Sequence, residues 1–155
     1  MADRFGVTVP NQADLNTAWE ELAPWPDVVT GLISLEKSAI IAPCSNGSIA
    51  LMTRLARYAG LPWNCILGAE IARDYKPNPS VYLASCAALR LAPGAVMMVA
   101  AHNDDLISAS ACGLQTAFVP RPTEHGPRQT SDLKPVENWD IIATYFNDLA
   151  RQISG

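Results

Sequence analysis

Apolar positions along the chain change period several times, and each change marks an element. Between Asn11 and Leu22 they fall at Leu15, Ala18, Trp19 and Leu22, one face of a helix, with Asn11 and Asp14 spaced as an N-terminal capping pair. "APWPDV" stops that helix, and Val28 to Lys37 reads as a second, short one. "SAIIAPC" (38–44) is continuously apolar, as a buried strand is, and Ile49, Met52, Leu55, Ala56 and Ala59 then mark the inner face of the next helix. The same order repeats. "NCILGAE" (64–70) is a second strand, followed by a helix with Pro79 in its first turn that runs to about Arg90. "GAVMMVAA" (94–101) is a third, followed by a helix from Asp105 that Gly113 closes, and "LQTAFVP" (114–120) is a fourth. Residues 120–137, rich in Pro, Thr and charge, predict a long loop before a last helix with Ile142, Tyr145, Phe146, Leu149 and Ile153 on one face.

Uniformly apolar strands alternating with helices predict an α/β fold, a parallel sheet flanked by helices and joined by right-handed crossovers. Ligands of such folds lie at the carboxyl ends of the strands. The chemistry is therefore expected in Ser45-Asn46-Gly47, in the loop holding Lys76, and in "AHNDD" (101–105). A helix start follows Ser45-Asn46-Gly47, and its unpaired N–H groups and partial positive charge suit a bound anion.

Composition narrows the partners. The 155 residues, 49% hydrophobic and 17% charged, are enough for one domain with a full core. A net charge of −4 with eleven scattered basic residues argues against nucleic acid or an anionic membrane and for a small-molecule partner. Cys44, Cys65, Cys86 and Cys112 stand singly in apolar patterns with no C-x-x-C, and so read as reduced core thiols rather than metal ligands. No apolar stretch reaches the roughly 18 residues of a spanning helix, and "MADRFGVTVP" lacks a signal-peptide pattern, so a soluble cytoplasmic chain is expected.

The segments "TAWEELAPWPDVVTGL", "CSNGS", "RDYKPNPSVY", "MMVAAHNDDL" and "TAFVPRPTEHGP", in this order, closely resemble the 2-haloacid dehalogenase branch of the haloacid dehalogenase superfamily. The resemblance implies a Rossmann-like core that displaces halide from a small 2-haloacid through an aspartyl ester, which water then hydrolyses, without a cofactor. By that resemblance Ser45 and Asn46 would hold the substrate carboxylate or the nucleophile's oxygens, and Tyr82 would stand in the active site. Lys76 would place its ammonium beside the catalytic carboxylates. Asp105 would pair with Lys76 and orient or deprotonate the hydrolytic water, and His102 would lie near the reacting ester. A cation about 4 Å from a carboxylate contributes on the order of 4 kcal/mol at an effective dielectric of 20 before desolvation is subtracted, enough to hold a nucleophile ionised. Phosphatases of the superfamily carry a magnesium-binding Asp where this sequence has Ala101, which points to the metal-free type. Read without the resemblance, Ser45 and Asp105 are also plain helix caps, Lys76 a solvated lysine, Tyr82 a core tyrosine and His102 a polar turn residue.

The resemblance departs from the family on the amino-terminal side. "RFGVTVPNQADLNTAWEEL" matches the tail of a helical cap, which makes residues 1–23 a cap remnant and 24–155 the core. The family's ester-forming aspartate closes an apolar first strand ahead of the cap. No such segment is found here, nor the cap arginine that would meet halide, and Asp3, Asp14 and Asp27 follow no buried strand. The chain is thus expected either to be inactive by itself or to be a non-catalytic module that binds a small carboxylate or phosphate or assembles with another chain. Without that strand two sheet edges would face a gap, to be closed by direct pairing, by the N-terminal segment, or by strand exchange in a homodimer.

Overall fold

Short parallel strands alternate with helices throughout the computed structural model, which describes residues 17–155. In chain order the elements are α1 (Val28–Leu35), β1 (Cys44–Ser45), α2 (Ile49–Ala59), β2 (Leu67–Gly68), α3 (Ala69–Ala72), α4 (Pro79–Ala88), β3 (Met97–Ala100), α5 (Asn103–Ala111), β4 (Gln115–Phe118), β5 (Ile141–Ile142) and α6 (Phe146–Ser154). The fold is α/β, with parallel strands between helical layers. The strands form two separate sheets, β1-β2 and β3-β4-β5, with every pair parallel. No helix among the described residues is long and apolar enough to cross a membrane.

Several elements differ from the sequence expectation. "SAIIAPC" enters a ladder only at Cys44, and Ile40 is 61% exposed. A strand is held by the partners on its edges. Residues 41 and 43 do find partners on the β2 side, where Asn64 N–H donates to Ile41 O at 2.9 Å and Leu67 N–H to Pro43 O at 3.0 Å. The opposite edge meets no strand among the described residues. Ile142, expected on the last helix, lies in the extra strand β5, so α6 starts at Phe146. Helix α5 begins at Asn103 rather than Asp105, and the expected Pro79 start of α4 holds. The helix over Asn11–Leu22 and its capping pair lie largely outside the described residues, whose own part of it is α-helical at 17–18 and passes into a 3₁₀ turn at Trp19–Glu21.

Side chains alternate along β4 and feed two cores. Ala117 and Val119 join Leu32 and Leu35 of α1 and Leu149 and Ala150 of α6. Phe118 turns the other way, toward Tyr82 and Cys86 of α4, Leu106 and Ala109 of α5, and Trp139. Complete burial of Phe118, Leu106 or Leu149 contributes about 1.5–3 kcal/mol each. Gly31 lets α6 seat against α1, because a Cβ at that position would collide with Cβ of Phe146.

A charged tie locks this layer. The Arg121 guanidinium donates to Asp27 Oδ2 at 3.0 Å, the Phe146 N–H donates to the same oxygen at 2.8 Å, and the two side chains are 11% and 18% exposed. The guanidinium also lies over the rings of Trp25 and Phe146 at 5.2 and 5.5 Å. Burial pushes the Asp27 carboxyl up, but the Phe146 N–H and Arg121 together outweigh it and hold the group below its ordinary value of 3.8. A carboxyl depressed in the folded state stabilises above its unfolded value, and that stability is lost as pH falls through the folded one. Asp27→Asn is therefore expected to cost about 1–3 kcal/mol at pH 7 in urea unfolding, with the difference from the parent closing below about pH 4.

Candidate active site

The free edges of β1 and β3 flank a cleft of about 860 Å³. In a parallel ladder the N–H and C=O of one residue point to the same side, and successive residues alternate. Val96 and Ala100 accept from Gln115 and Val119 of the β4 side at 2.9 and 3.0 Å, so Met97 and Val99 turn their backbone groups toward the cleft. By the same parity Ala42 and Cys44 do so from the opposite wall. Trp63 also lines the cleft, and its Nε1 is the one buried side-chain donor without a partner among the described residues. Lys76, Tyr82, His102 and Asp105 are the polar side chains of the lining that the sequence singled out.

Lys76 lies in the loop between α3 and α4, and Asp105 in the first turn of α5. The Lys76 ammonium donates to Asp105 Oδ2 at 2.6 Å, and the side chains are 19% and 15% exposed. The Tyr82 hydroxyl donates to Oδ1 of the same carboxylate, also at 2.6 Å. Burial, and after it the hydrogen bond to Asp105, pushes the Tyr82 hydroxyl far above its ordinary range, so it remains a proton donor. Both Asp105 oxygens are thus engaged away from the helix. Asp105 is not a cap: His102 holds that position in α5 without a capping bond of its own, and the first N–H of the helix, that of Asn103, donates to Asp132 Oδ1 at 2.9 Å.

The loop around Lys76 is held from three sides. Asn46 Oδ1 accepts from the Lys76 N–H at 2.7 Å and its Nδ2 donates to Lys76 O at 3.2 Å. Asp74 accepts from the Tyr75 N–H at 2.8 Å, from Asn78 Nδ2 at 2.7 Å and from Ser80 Oγ at 2.5 Å, pinning the entry to α4. The Lys76–Pro77 peptide is cis. Gly68, at φ +119°, brings β2 against β1 where any Cβ would strike the Ser45 backbone, which fixes Ser45 beside the loop.

Other candidates are placed differently from the sequence reading. Ser45 Oγ accepts from the Gly47 N–H at 2.9 Å, while the cap of α2 is Ser48, which accepts from the Leu51 N–H at 3.1 Å. The anion at the start of α2 is the chain's own: the Ile49 N–H donates to Glu70 Oε2 at 2.7 Å. The Ser45 hydroxyl proton and the second N–H of Asn46 Nδ2 are left as donors beside that helix start. His102 lines the cleft but pairs outward, its Nε2 3.0 Å from Glu124 Oε2. All four cysteines are free thiols; Cys86 is buried as expected, whereas Cys44, Cys65 and Cys112 are half-buried. Burial pushes the Cys44 thiol up, against the hydrogen bond with Ser85.

Asn103 has a role the sequence did not reveal. Buried at the start of α5, it donates through Nδ2 to Asp132 Oδ1 at 2.9 Å and to Lys134 O at 3.0 Å. Its Oδ1 accepts from the Val136 N–H and from Trp139 Nε1, both at 3.1 Å. Its partners lie 29 to 36 residues away in a loop without periodic pattern, so only the amide in "HNDD" pointed to it.

A family model described as haloacid dehalogenase-like hydrolase matches residues 2–113. Among solved structures, the L-2-haloacid dehalogenase PA0810 is 45% identical and superposes with a TM-score of 0.94, over 99% of this chain and 66% of that one. The defluorinating L-2-haloacid dehalogenase Rha0230 is 46% identical, also with a TM-score of 0.94, over 99% and 65%. The (S)-2-haloacid dehalogenase 4A of Burkholderia cepacia is 27% identical over 135 residues, 79% of this chain and 58% of that protein. The chain thus spans less than two thirds of the length of each of these three proteins.

If the Lys76–Asp105 pair carries the site's geometry, removing one charge strands the other in a half-dry cleft. Lys76→Met is expected to cost about 2–4 kcal/mol in urea unfolding. Adding Asp105→Asn, which keeps an acceptor for Tyr82, should recover part of that loss. A double-mutant coupling of about 0.5 kcal/mol or less would show the pair to be solvated.

Proposed function

Because the chain belongs to the haloacid dehalogenase-like hydrolases, we propose that its cleft carries the acid–base part of a 2-haloacid dehalogenase site, acting on a small (S)-2-haloacid. The observation that carries this reading is the cluster of Lys76, Asp105 and Tyr82 at the carboxyl ends of β1 and β3. In the proposed reaction an aspartate oxygen attacks C2 of the substrate, the carbon–halogen bond breaks, and halide leaves with the bonding pair. Water then adds to the carbonyl of the aspartyl ester and gives a proton to Asp105, and the ester collapses to the 2-hydroxy acid and a free carboxylate. Asp105 keeps unused lone pairs on both oxygens for that proton, while Lys76 and Tyr82 hold it in place. Ser45 and Asn46 would donate to the substrate carboxylate, and His102 would border the ester. Residues 24–155 would be the catalytic core and 1–23 part of a cap, in a cytoplasmic protein.

This chemistry needs a second carboxylate beside Lys76, and among the described residues Lys76 pairs with Asp105 alone. We therefore expect the 155-residue polypeptide not to turn over by itself. The same observation favours a second reading, a module that binds a small carboxylate or phosphate without reaction.

Chloride release from (S)-2-chloropropionate separates the two. The chain alone should release none. A chimera joined to the part of the PA0810 protein that this chain does not cover should release chloride, and Lys76→Ala in that chimera should lower kcat by about a hundredfold or more. A folded chimera that releases no chloride would leave only the binding module. Release by the chain alone would show that it holds its own nucleophile.

A further inference from the structure

Around His102, on the edge of the cleft, three metal-ligating side chains converge, two of which the hydrolytic reading leaves without a role. His102, Glu124 and His125 each bring a ligand atom within 4.8 Å of the other two. His102 Nε2 and Glu124 Oε2 are already 3.0 Å apart, and the two imidazoles stack with centroids 6.2 Å apart and planes 12° from parallel. Tetrahedral zinc bound at about 2.0–2.2 Å needs ligand atoms roughly 3.4 Å from one another. The stacked rings do not aim their in-plane lone pairs at one point, so binding an ion requires these exposed side chains to rotate.

The backbone that carries these ligands is arranged in advance. His102 is fixed at the junction of β3 and α5. Glu124 and His125 sit in a tight turn in which the Glu124 N–H donates to Arg121 O at 3.1 Å and the Gly126 N–H to Thr123 O at 3.0 Å. The His125 N–H donates to Gln129 Oε1 at 3.0 Å, and Gln129 Nε2 in turn to Ser131 O at 2.9 Å. Little ordering therefore remains for an ion to impose.

The charges around the cluster favour a cation as well. Among the described residues Glu124 has no lysine or arginine partner, only His102. A further carboxylate, Asp132, is near enough to both imidazoles to be influenced by them, and the Asn103 N–H holds it below its ordinary value. Two imidazoles and one carboxylate suit a borderline ion such as zinc better than magnesium or calcium, which prefer all-oxygen shells.

We propose that His102, Glu124 and His125 form a binding site for a zinc-class divalent ion, with water in the remaining position. The site does not rest on the hydrolytic reading, but it shares His102 with it. Its consequence is local: the ion fastens the loop after β4 to the end of β3 and takes up the imidazole of His102, so zinc and any role of His102 inside the cleft exclude each other.

Calorimetric titration of the metal-free chain with ZnCl₂ tests this, with Co²⁺ absorption to report the ligand type. The expected result is one zinc per chain, a Co²⁺ spectrum without thiolate charge-transfer bands, and affinity lowered about tenfold or more in both His125→Ala and Glu124→Gln, each with an unchanged circular dichroism spectrum. MgCl₂ should give no binding isotherm. Absence of saturable zinc binding would overturn the proposal. So would binding that both variants leave unchanged, since that would assign the zinc to the free thiols.

Discussion

Moving an ammonium and a carboxylate out of water costs several kcal/mol per ion, which their attraction recovers only when geometry is close and the remaining polar atoms are satisfied. The Lys76–Asp105 contact meets those terms. Lys76 belongs to the part of the chain that follows β2, and Asp105 to the helix that follows β3, so the pair spans two sheets that share no ladder hydrogen bond. Asn46 holds the lysine by its backbone, Tyr82 takes the second aspartate oxygen, and Asp74 anchors the loop. Each of these groups has a defined place because the ion pair has one.

Helices do the work that strand pairing does elsewhere. One layer, α1 with α6, is locked by Arg121, Asp27 and the start of α6. The other, α4 with α5, packs through Tyr82, Leu106 and Phe118. Both layers cover both sheets, since Ile41 next to β1 shares a cluster with Ala117 of β4, and Cys44 of β1 packs against the cluster containing Phe118. The cleft between β1 and β3 therefore persists as a feature with walls rather than collapsing.

Much of this was legible in the sequence. Period changes located the helices, the apolar runs located β3 and β4, and the rule that ligands gather at strand ends led to the segments in which the resemblance then singled out Lys76 and Asp105. What the sequence did not show follows from the range of the interactions. Ile40 and Ile41 are as apolar as a buried strand, but strand formation depends on a partner that no local pattern encodes. The helix start after Ser45 looked like a site for a ligand anion because Glu70, which fills it, lies 21 residues away from Ile49. Asn103 was hidden for the same reason, its partners being scattered through an irregular loop. His102 was assigned to the cleft by resemblance, and its outward pairing with Glu124 depends on where the loop after β4 comes to rest.

The division of the sheet also divides resistance to opening. Strand β4 is buried and paired on both sides, whereas β1 and β2 share only two residues of ladder and are mostly half-buried. Local unfolding begins where few buried contacts and short ladders meet, so the β1–β2 unit belongs to the low-stability end of the molecule. That unit positions Ser45, Asn46 and Lys76, while Asp105 stands on the firmer half. The assembled cluster is thus no more resistant to local opening than the β1–β2 unit on which half of it stands.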